Sequence, residues 1–182
     1  MAKIYLIRHG EAAAGFGAHK DPGLSELGRQ QAERVAGKLE DIGPLQVFSS
    51  PLARAFETAQ PLAARWQQDI VIETRVAEIP SPSEDLGARA QWLQKAMQGT
   101  WEELEPKFVA WRDNLVACLM SLEQDCVMFS HYVAINAAVG AAQGDSRMRV
   151  FAPDYCSVTT LDNTGGQLHV DLLGHTADTK IN

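Results

Sequence analysis

Four short stretches carry side chains that could act together. Arg8-His9-Gly10-Glu11 follows the apolar run Ile4-Tyr5-Leu6-Ile7, the run Gln46–Ser50 leads to Arg54, the run Cys126–Ser130 ends on His131, and Glu78 sits in Val76-Ala77-Glu78-Ile79-Pro80. The three runs are rich in β-branched and aromatic residues and read as buried strands. In an open α/β sheet the carboxyl ends of the strands border the ligand crevice. If these strands are parallel neighbours, two arginines and two histidines meet at one edge of the sheet. Forked guanidinium groups match paired phosphate oxygens, so such a meeting makes a pocket for a dianion. Gly10 lets the backbone turn there without a side chain in the way, and the loop bearing Glu78 would hang over the same edge. No Asp, Glu and His cluster stands at metal-ligand spacing, so the arginines take the place of a metal and no cofactor is expected.

The elements that must position these groups follow in order. Ala12 to Gly23 is small and Gly-rich and reads as a loop ending in a turn. Ser25 fits an N-cap for a helix over Glu26–Leu39, closed by Ile42-Gly43-Pro44. Pro51 is placed as the first residue of a helix that holds Arg54 in its first turn and continues to Trp66, with Pro61 ending or kinking it. Ile70–Glu73 is a third strand. Helices are expected over about Ser83–Gln98, about Glu105–Gln124 and about Ala134–Gln143. The second of these opens with Pro106 and aligns Phe108, Trp111, Leu115, Cys118, Leu119 and Leu122. Ser157–Leu161 and Gln167–Leu173 read as a closing hairpin around Asn163-Thr164-Gly165-Gly166, and the last five residues as a frayed tail. The order β, α, β, α, β, α, α, β, α, β, β is that of an α/β fold, a three-layer sandwich whose largely parallel central sheet is flanked by helices. With no repeat or linker, 1–182 reads as one domain, with a helical lid around 80–106.

The bulk properties narrow the partners. A chain of 182 residues with 46% hydrophobic and 21% charged residues can build a core without staples. A net charge of −7 lacks the clustered cations of a nucleic-acid surface, and there is no apolar run long enough for a membrane span. The start of the chain shows no basic-then-apolar leader, so a cytoplasmic location is the default expectation. Cys118, Cys126 and Cys156 lie in apolar contexts and read as buried reduced thiols. The sequence leaves the oligomeric state open.

Together the stretches Leu6–Glu11, Leu24–Ala32, Ser49–Ala59, Glu78 and Phe129–His131 resemble, in the same order, the histidine phosphatase superfamily with its phosphoglycerate mutase-like fold. The resemblance implies a two-step transfer. His9 would be the nucleophile and carry a phosphohistidine; Arg8, Arg54 and His131 would neutralise the phosphoryl oxygens, with Gly10 and Tyr132 lining the phosphate site. Glu78 would protonate the leaving oxygen and then activate water. Two departures stand out. Ala12-Ala13-Ala14-Gly15 offers no side-chain donor where the family often has Asn, and Tyr132 replaces the usual Gly after the second histidine. Tyr132 could narrow the pocket or stack on substrate, or simply fill core. His19 and Lys20 could reach substrate or be solvated.

A mutase must hold a bisphosphorylated intermediate, which calls for further cations. The segment from Pro80 to Pro106 offers only Arg89 and Lys95 against Glu84, Asp85, Glu102, Glu103 and Glu105, which favours hydrolysis of a phosphomonoester. Trp92 and Trp101 could face an apolar leaving group or pack. The short form with Arg-His-Gly-Glu-Ala is also similar to small phosphatases acting on phosphohistidine in proteins. The expected partner is therefore a small phosphorylated metabolite or a phosphoprotein, the alternatives being a mutase and a non-catalytic phosphate-binding module.

Overall fold

The computed structural model describes residues 1–15 and 18–177. Its order is β1 (Lys3–Arg8), α1 (Glu26–Leu39), β2 (Gln46–Ser49), α2 (Ala53–Trp66), β3 (Ile70–Ile72), α3 (Leu86–Ala96), α4 (Pro106–Met120), β4 (Cys126–Ser130), α5 (Tyr132–Gln143), β5 (Val158–Asp162) and β6 (His169–Leu172). The six strands form one sheet in the order β3-β2-β4-β1-β5-β6. β3, β2, β4 and β1 run parallel, whereas β5 and β6 are antiparallel additions at one side. This is an α/β fold with a mixed central sheet flanked by helices. The central position of β1 and β4 explains their unbroken apolar runs, because both faces are covered: β4 is buried at every position. One face packs Val35, Leu39, Leu62 and Trp66 from α1 and α2; the other packs Trp101, Phe108, Leu115, Leu119 and Ile135.

Register brings the chemistry to one edge. Arg8 pairs with Ser130 and Ser49 with Phe129, so the last residues of β1, β2 and β4 lie side by side. His9 N–H donates to the Ser130 carbonyl at 3.0 Å and Ser50 N–H to that of Phe129 at 3.0 Å, extending the ladder past the strand ends.

Several boundaries differ from the sequence reading, each for a local reason. Pro51 does not open α2, which begins at Ala53. The Ser50 hydroxyl accepts from Leu52 N–H, holding Leu52 extended, and the Asp21 carboxylate caps from outside by accepting from Ala53 N–H at 2.9 Å. Pro61 neither ends nor divides α2, which runs through to Trp66. α3 starts only at Leu86, because the Asp85 side chain accepts from Ala88 N–H as an N-cap. α4 closes at Met120, leaving Leu122 beyond it, and Trp111 is half-buried. α5 starts two residues early, at Tyr132, with His131 as its N-cap position. Ser25 caps α1 as expected, accepting from Gly28 N–H at 3.0 Å. The frayed tail, residues 178–182, lies outside the described residues. Trp92 packs on Phe108 at 4.7 Å and Trp101 on Trp111 at 6.0 Å between ring centroids, so both indoles serve packing; Leu93, Met97 and Trp101 tie the segment 80–106 into the core.

Glycine is needed where α1 meets the loop after β1. A Cβ on Gly10 would lie 2.6 Å from the Gly28 carbonyl oxygen, and one on Gly28 would overlap the Glu11 carbonyl oxygen. Gly28→Ala must push α1 off the loop that carries His9 and Gly10. It should destabilise the fold by about 1–3 kcal/mol as overpacking does, seen as a lower urea midpoint at unchanged slope. An unchanged midpoint would show that this contact is slack.

Candidate active site

Arg8 and His9 leave the end of β1, Arg54 comes from the first turn of α2, His131 stands between β4 and α5, and Glu78 follows the 3₁₀ turn Thr74–Val76 after β3. All five are buried: Arg8, His9 and His131 show no exposed surface, Arg54 1% and Glu78 6%. Residues 45 to 122 positions apart from His9 thus reach one point. Arg54 Nε donates to His9 Nε2 at 3.2 Å, and the His131 ring centroid lies 5.2 Å from that of His9.

Hydrogen bonding fixes the state of the His9 ring. Its Nδ1 is 2.7 Å from the Gly10 carbonyl oxygen, which can only accept, so Nδ1 carries the proton. Nε2 then keeps its lone pair toward Arg54. Gly10 itself is held by its N–H donating to Thr58 Oγ1 at 3.0 Å, and Thr58 Oγ1 donates to the Arg54 carbonyl at 2.6 Å. One threonine of α2 thereby ties the loop that carries the histidine to the helix that carries the arginine. His131 Nε2 is 2.7 Å from Ser50 Oγ, while its Nδ1 and Arg54 Nη2 are buried with no hydrogen-bond partner among the described residues. Two orphaned polar groups in so tight a cluster are the signature of a site that takes an oxyanion.

Burial, and then the neighbouring guanidiniums of Arg54 and Arg8, hold the His9 imidazole well below its usual 6.5; burial, Arg54, His9 and Arg8 do the same to His131. Both rings are therefore neutral in the folded protein. Burial pushes the Glu78 carboxyl up, against the lowering effects of Ile79 N–H, Arg54, Val133 N–H and Arg8. Its Oε1 accepts from Ile79 N–H at 3.0 Å and Oε2 from Val133 N–H, in the first turn of α5, at 3.2 Å. The Ser130 hydroxyl donates to the Val76 carbonyl at 2.7 Å and pins this loop to the end of β4.

Sequence reasoning missed Tyr155, Thr58 and Asp21, and named Tyr132 without its partner. Arg8 lies between two tyrosines, its Cζ 4.0 Å from the Tyr155 ring centroid and 5.0 Å from that of Tyr132, and its Nη1 donates to the Pro153 carbonyl at 2.9 Å. Tyr132 is buried in the core at 3% exposure, with its ring against Arg8. Asp21 lies 3.8 Å from Arg54 Nη1 while capping α2. Lys20 pairs with Glu84 at 3.0 Å on the outside, and His19 is exposed. Cys118 and Cys126 are buried free thiols as expected, whereas Cys156 is half-buried with a φ of 54°. Among the described residues no group of three or more His, Cys, Asp or Glu could hold a metal ion, and no helix is long and apolar enough to cross a membrane.

A strand-end cluster of two arginines, two histidines and a glutamate on this sheet is one that a phosphoryl group could occupy, and comparison with known proteins places the chain within a family. The profile of the histidine phosphatase superfamily (branch 1) matches residues 4–176. The chain belongs to that superfamily. The probable phosphoglycerate mutase GpmB of Escherichia coli O1:K1 is 34% identical over 189 residues, covering 89% of this chain and 85% of the relative. Among solved structures, a mycobacterial glucosyl-3-phosphoglycerate phosphatase complexed with VO3 has a TM-score of 0.75 at 23% identity, covering 97% of this chain and 100% of the other. A phosphoserine phosphatase from Entamoeba histolytica in complex with 3-phosphoglyceric acid also has a TM-score of 0.75 at 23% identity, covering 97% and 98%. These two likenesses bear on the fold.

Two outcomes follow from this geometry. A histidine whose folded value lies below its unfolded value contributes stability that is present above about pH 6.5 and lost on acidification. A carboxyl raised in the fold acts in the opposite sense, losing its contribution as pH rises. With two imidazoles against one carboxyl, the melting temperature should fall from pH 7 to pH 5 in phosphate-free buffer; His131→Asn should make that fall shallower and Glu78→Gln steeper. Slopes unaffected by either change would separate these groups from the pH response. For the tyrosine contact, Tyr155→Leu should raise the KM for a phosphate ester roughly tenfold, the scale of a desolvated cation–π contact, while Tyr155→Phe, which keeps the ring, retains most of the affinity. Equal effects of both changes would mean that the ring does not hold Arg8.

Proposed function

We propose that the protein is a phosphatase that hydrolyses a small phosphomonoester through a phosphohistidine on His9, without a metal. The observation that carries this reading is the pairing of Arg54 Nε with Nε2 of a buried, neutral His9 whose Nδ1 proton is fixed by Gly10. His9 Nε2 attacks phosphorus in line, the bond from phosphorus to the ester oxygen breaks, and Glu78 gives its proton to that oxygen. Water then attacks the phosphohistidine, Glu78 takes the water's proton, and phosphate leaves with His9 restored. Arg8, Arg54 and His131 bear on the phosphoryl oxygens as charge spreads over them. The raised carboxyl and lowered imidazoles set both reactants in the state that the first step requires.

Hydrolysis is favoured over mutase action by the acidic balance of the segment 80–106, where Arg89 and Lys95 stand against Glu84, Asp85, Glu102, Glu103 and Glu105, and by the pairing of Lys20 with Glu84; Arg89 lies within electrostatic reach of Arg54 and Glu78. The resemblance to a protein named as a probable phosphoglycerate mutase keeps that activity as the second reading. A small ester suits a site whose central side chains are at most 1% exposed better than a phosphoprotein does. Phosphatases for glucosyl-3-phosphoglycerate and phosphoserine among the similar structures support the same substrate class.

The test is hydrolysis of p-nitrophenyl phosphate and phosphoserine in excess chelator. Turnover should survive chelation and be lost in His9→Ala by a factor of about a thousand or more. Glu78→Gln should cut turnover of phosphoserine far more than it weakens phosphate binding. Phosphate binding without any turnover would make the protein a binding module, and rapid isomerisation of 3-phosphoglycerate with its bisphosphate would make it a mutase.

A further inference from the structure

On the far side of Tyr155 from the active site lies a second cavity, of about 240 Å³, lined by Gln31, Arg34 and Lys38 of α1, the segment Asp154–Ser157, and His175. Three observations set it apart from ordinary surface. First, its cations are unneutralised. Arg29 is paired with Glu26, and Arg65 with Glu33 and Glu40, but Arg34 and Lys38 make no ion pair with a described carboxylate. They stand one turn apart on α1, a like-charged i, i+4 pair that costs stability when left uncompensated, and they do so in a chain of net charge −7. The acid in the wall, Asp154, has an oxygen accepting from Tyr155 N–H at 2.7 Å.

Second, Ser157 in the same wall is 3% exposed, and its hydroxyl has no hydrogen-bond partner among the described residues. Third, the wall is bonded directly to Arg8. Cys156 N–H donates to the Arg8 carbonyl at 3.0 Å, Arg8 N–H donates to that of Ser157 at 3.3 Å, and the Tyr155 ring lies on the Arg8 guanidinium. The far wall is fastened too, since Asp154 N–H donates to the His175 carbonyl at 2.8 Å.

We propose that this cavity is a second oxyanion site, taking a group the size of a phosphate or a short phosphorylated acid between Arg34, Lys38 and His175. Its volume lies below the usual range for drug-sized ligands, which excludes a nucleotide. Two forked or ammonium donors one turn apart suit a single phosphate head. Residues 155–157 are shared between this wall and the support of Arg8, so the two sites are neighbours with separate anion ligands. The site is independent of whether the protein proves to be a hydrolase or a mutase.

The experiment is a titration of the isotopically labelled full-length protein with inorganic phosphate, followed by amide NMR shifts at constant ionic strength. Two saturable sets are expected, one at Gly10 and His131 for the active site and one at Lys38, Asp154, Cys156 and Ser157. Arg34→Gln with Lys38→Gln should raise the half-saturation concentration of the second set tenfold or more and leave the first unchanged. A matching titration with sodium chloride should not produce the second set. The proposal is overturned if the second set is absent, if it survives the double substitution, or if chloride reproduces it. Loss of the first set alone would count against the reading of the active site and not against this one.

Discussion

Two guanidinium groups removed from water are the constraint around which this molecule is built. Taking an ion out of water costs several kcal/mol even after relaxation, and Arg8 and Arg54 are both essentially inaccessible. Arg54 meets an imidazole at 3.2 Å and Asp21 only at 3.8 Å, and Arg8 meets two rings and a carbonyl. The positive charge is balanced in part by Glu78, itself pressed toward its neutral form by burial. Such an arrangement is poor as a stability device and well suited to a phosphoryl dianion, which brings the charge that the protein withholds.

The same constraint assigns the proton states. Placing cations beside two buried imidazoles removes any advantage of protonating them, so the lone pair of His9 is preserved across ordinary pH. Glu78 lies among the same cations, but burial outweighs them and pushes its carboxyl up. Burial thus pushes two imidazoles down and a carboxyl up, the separation that the proposed two-step transfer would need. The backbone supports both: Gly10 orients the imidazole, and the start of α5 offers Val133 N–H to the carboxyl.

Much of this was legible because it is local. A buried strand followed at once by Arg-His, Ser-Ser or His is a feature of a few adjacent residues, and the parallel sheet aligns such ends by rule, so Arg8, His9, Arg54 and His131 could be named from spacing. Tyr155, Thr58 and Asp21 could not, since each acts across a contact that only tertiary packing creates. A signal for Tyr155 did exist. β5 runs antiparallel to β1, so residues entering β5 arrive at the edge where β1 ends; recognising the direction of that strand would have brought Asp154–Ser157 to Arg8. Helix starts failed for a similar reason: Pro51 satisfies the local rule for a first turn, but Ser50 and the distant Asp21 supply a better cap two residues later.

Tyr132 joins these strands of the argument. At the start of α5 a small residue would leave Arg8 without the second ring contact that Tyr132 adds to that of Tyr155. A guanidinium held between two rings keeps its plane, and a fixed plane is what converts a mobile cation into an oriented pair of donors. Orientation of this kind would suit the dispersed charge of a phosphoryl group in the proposed reaction, because only phosphoryl oxygens can meet the fork. Outside the cluster, Lys20 pairs with Glu84 at the surface, while Arg89 lies within electrostatic reach of Arg54 and Glu78. A site with its positive charge concentrated at the sheet edge fits the phosphomonoester reading proposed above.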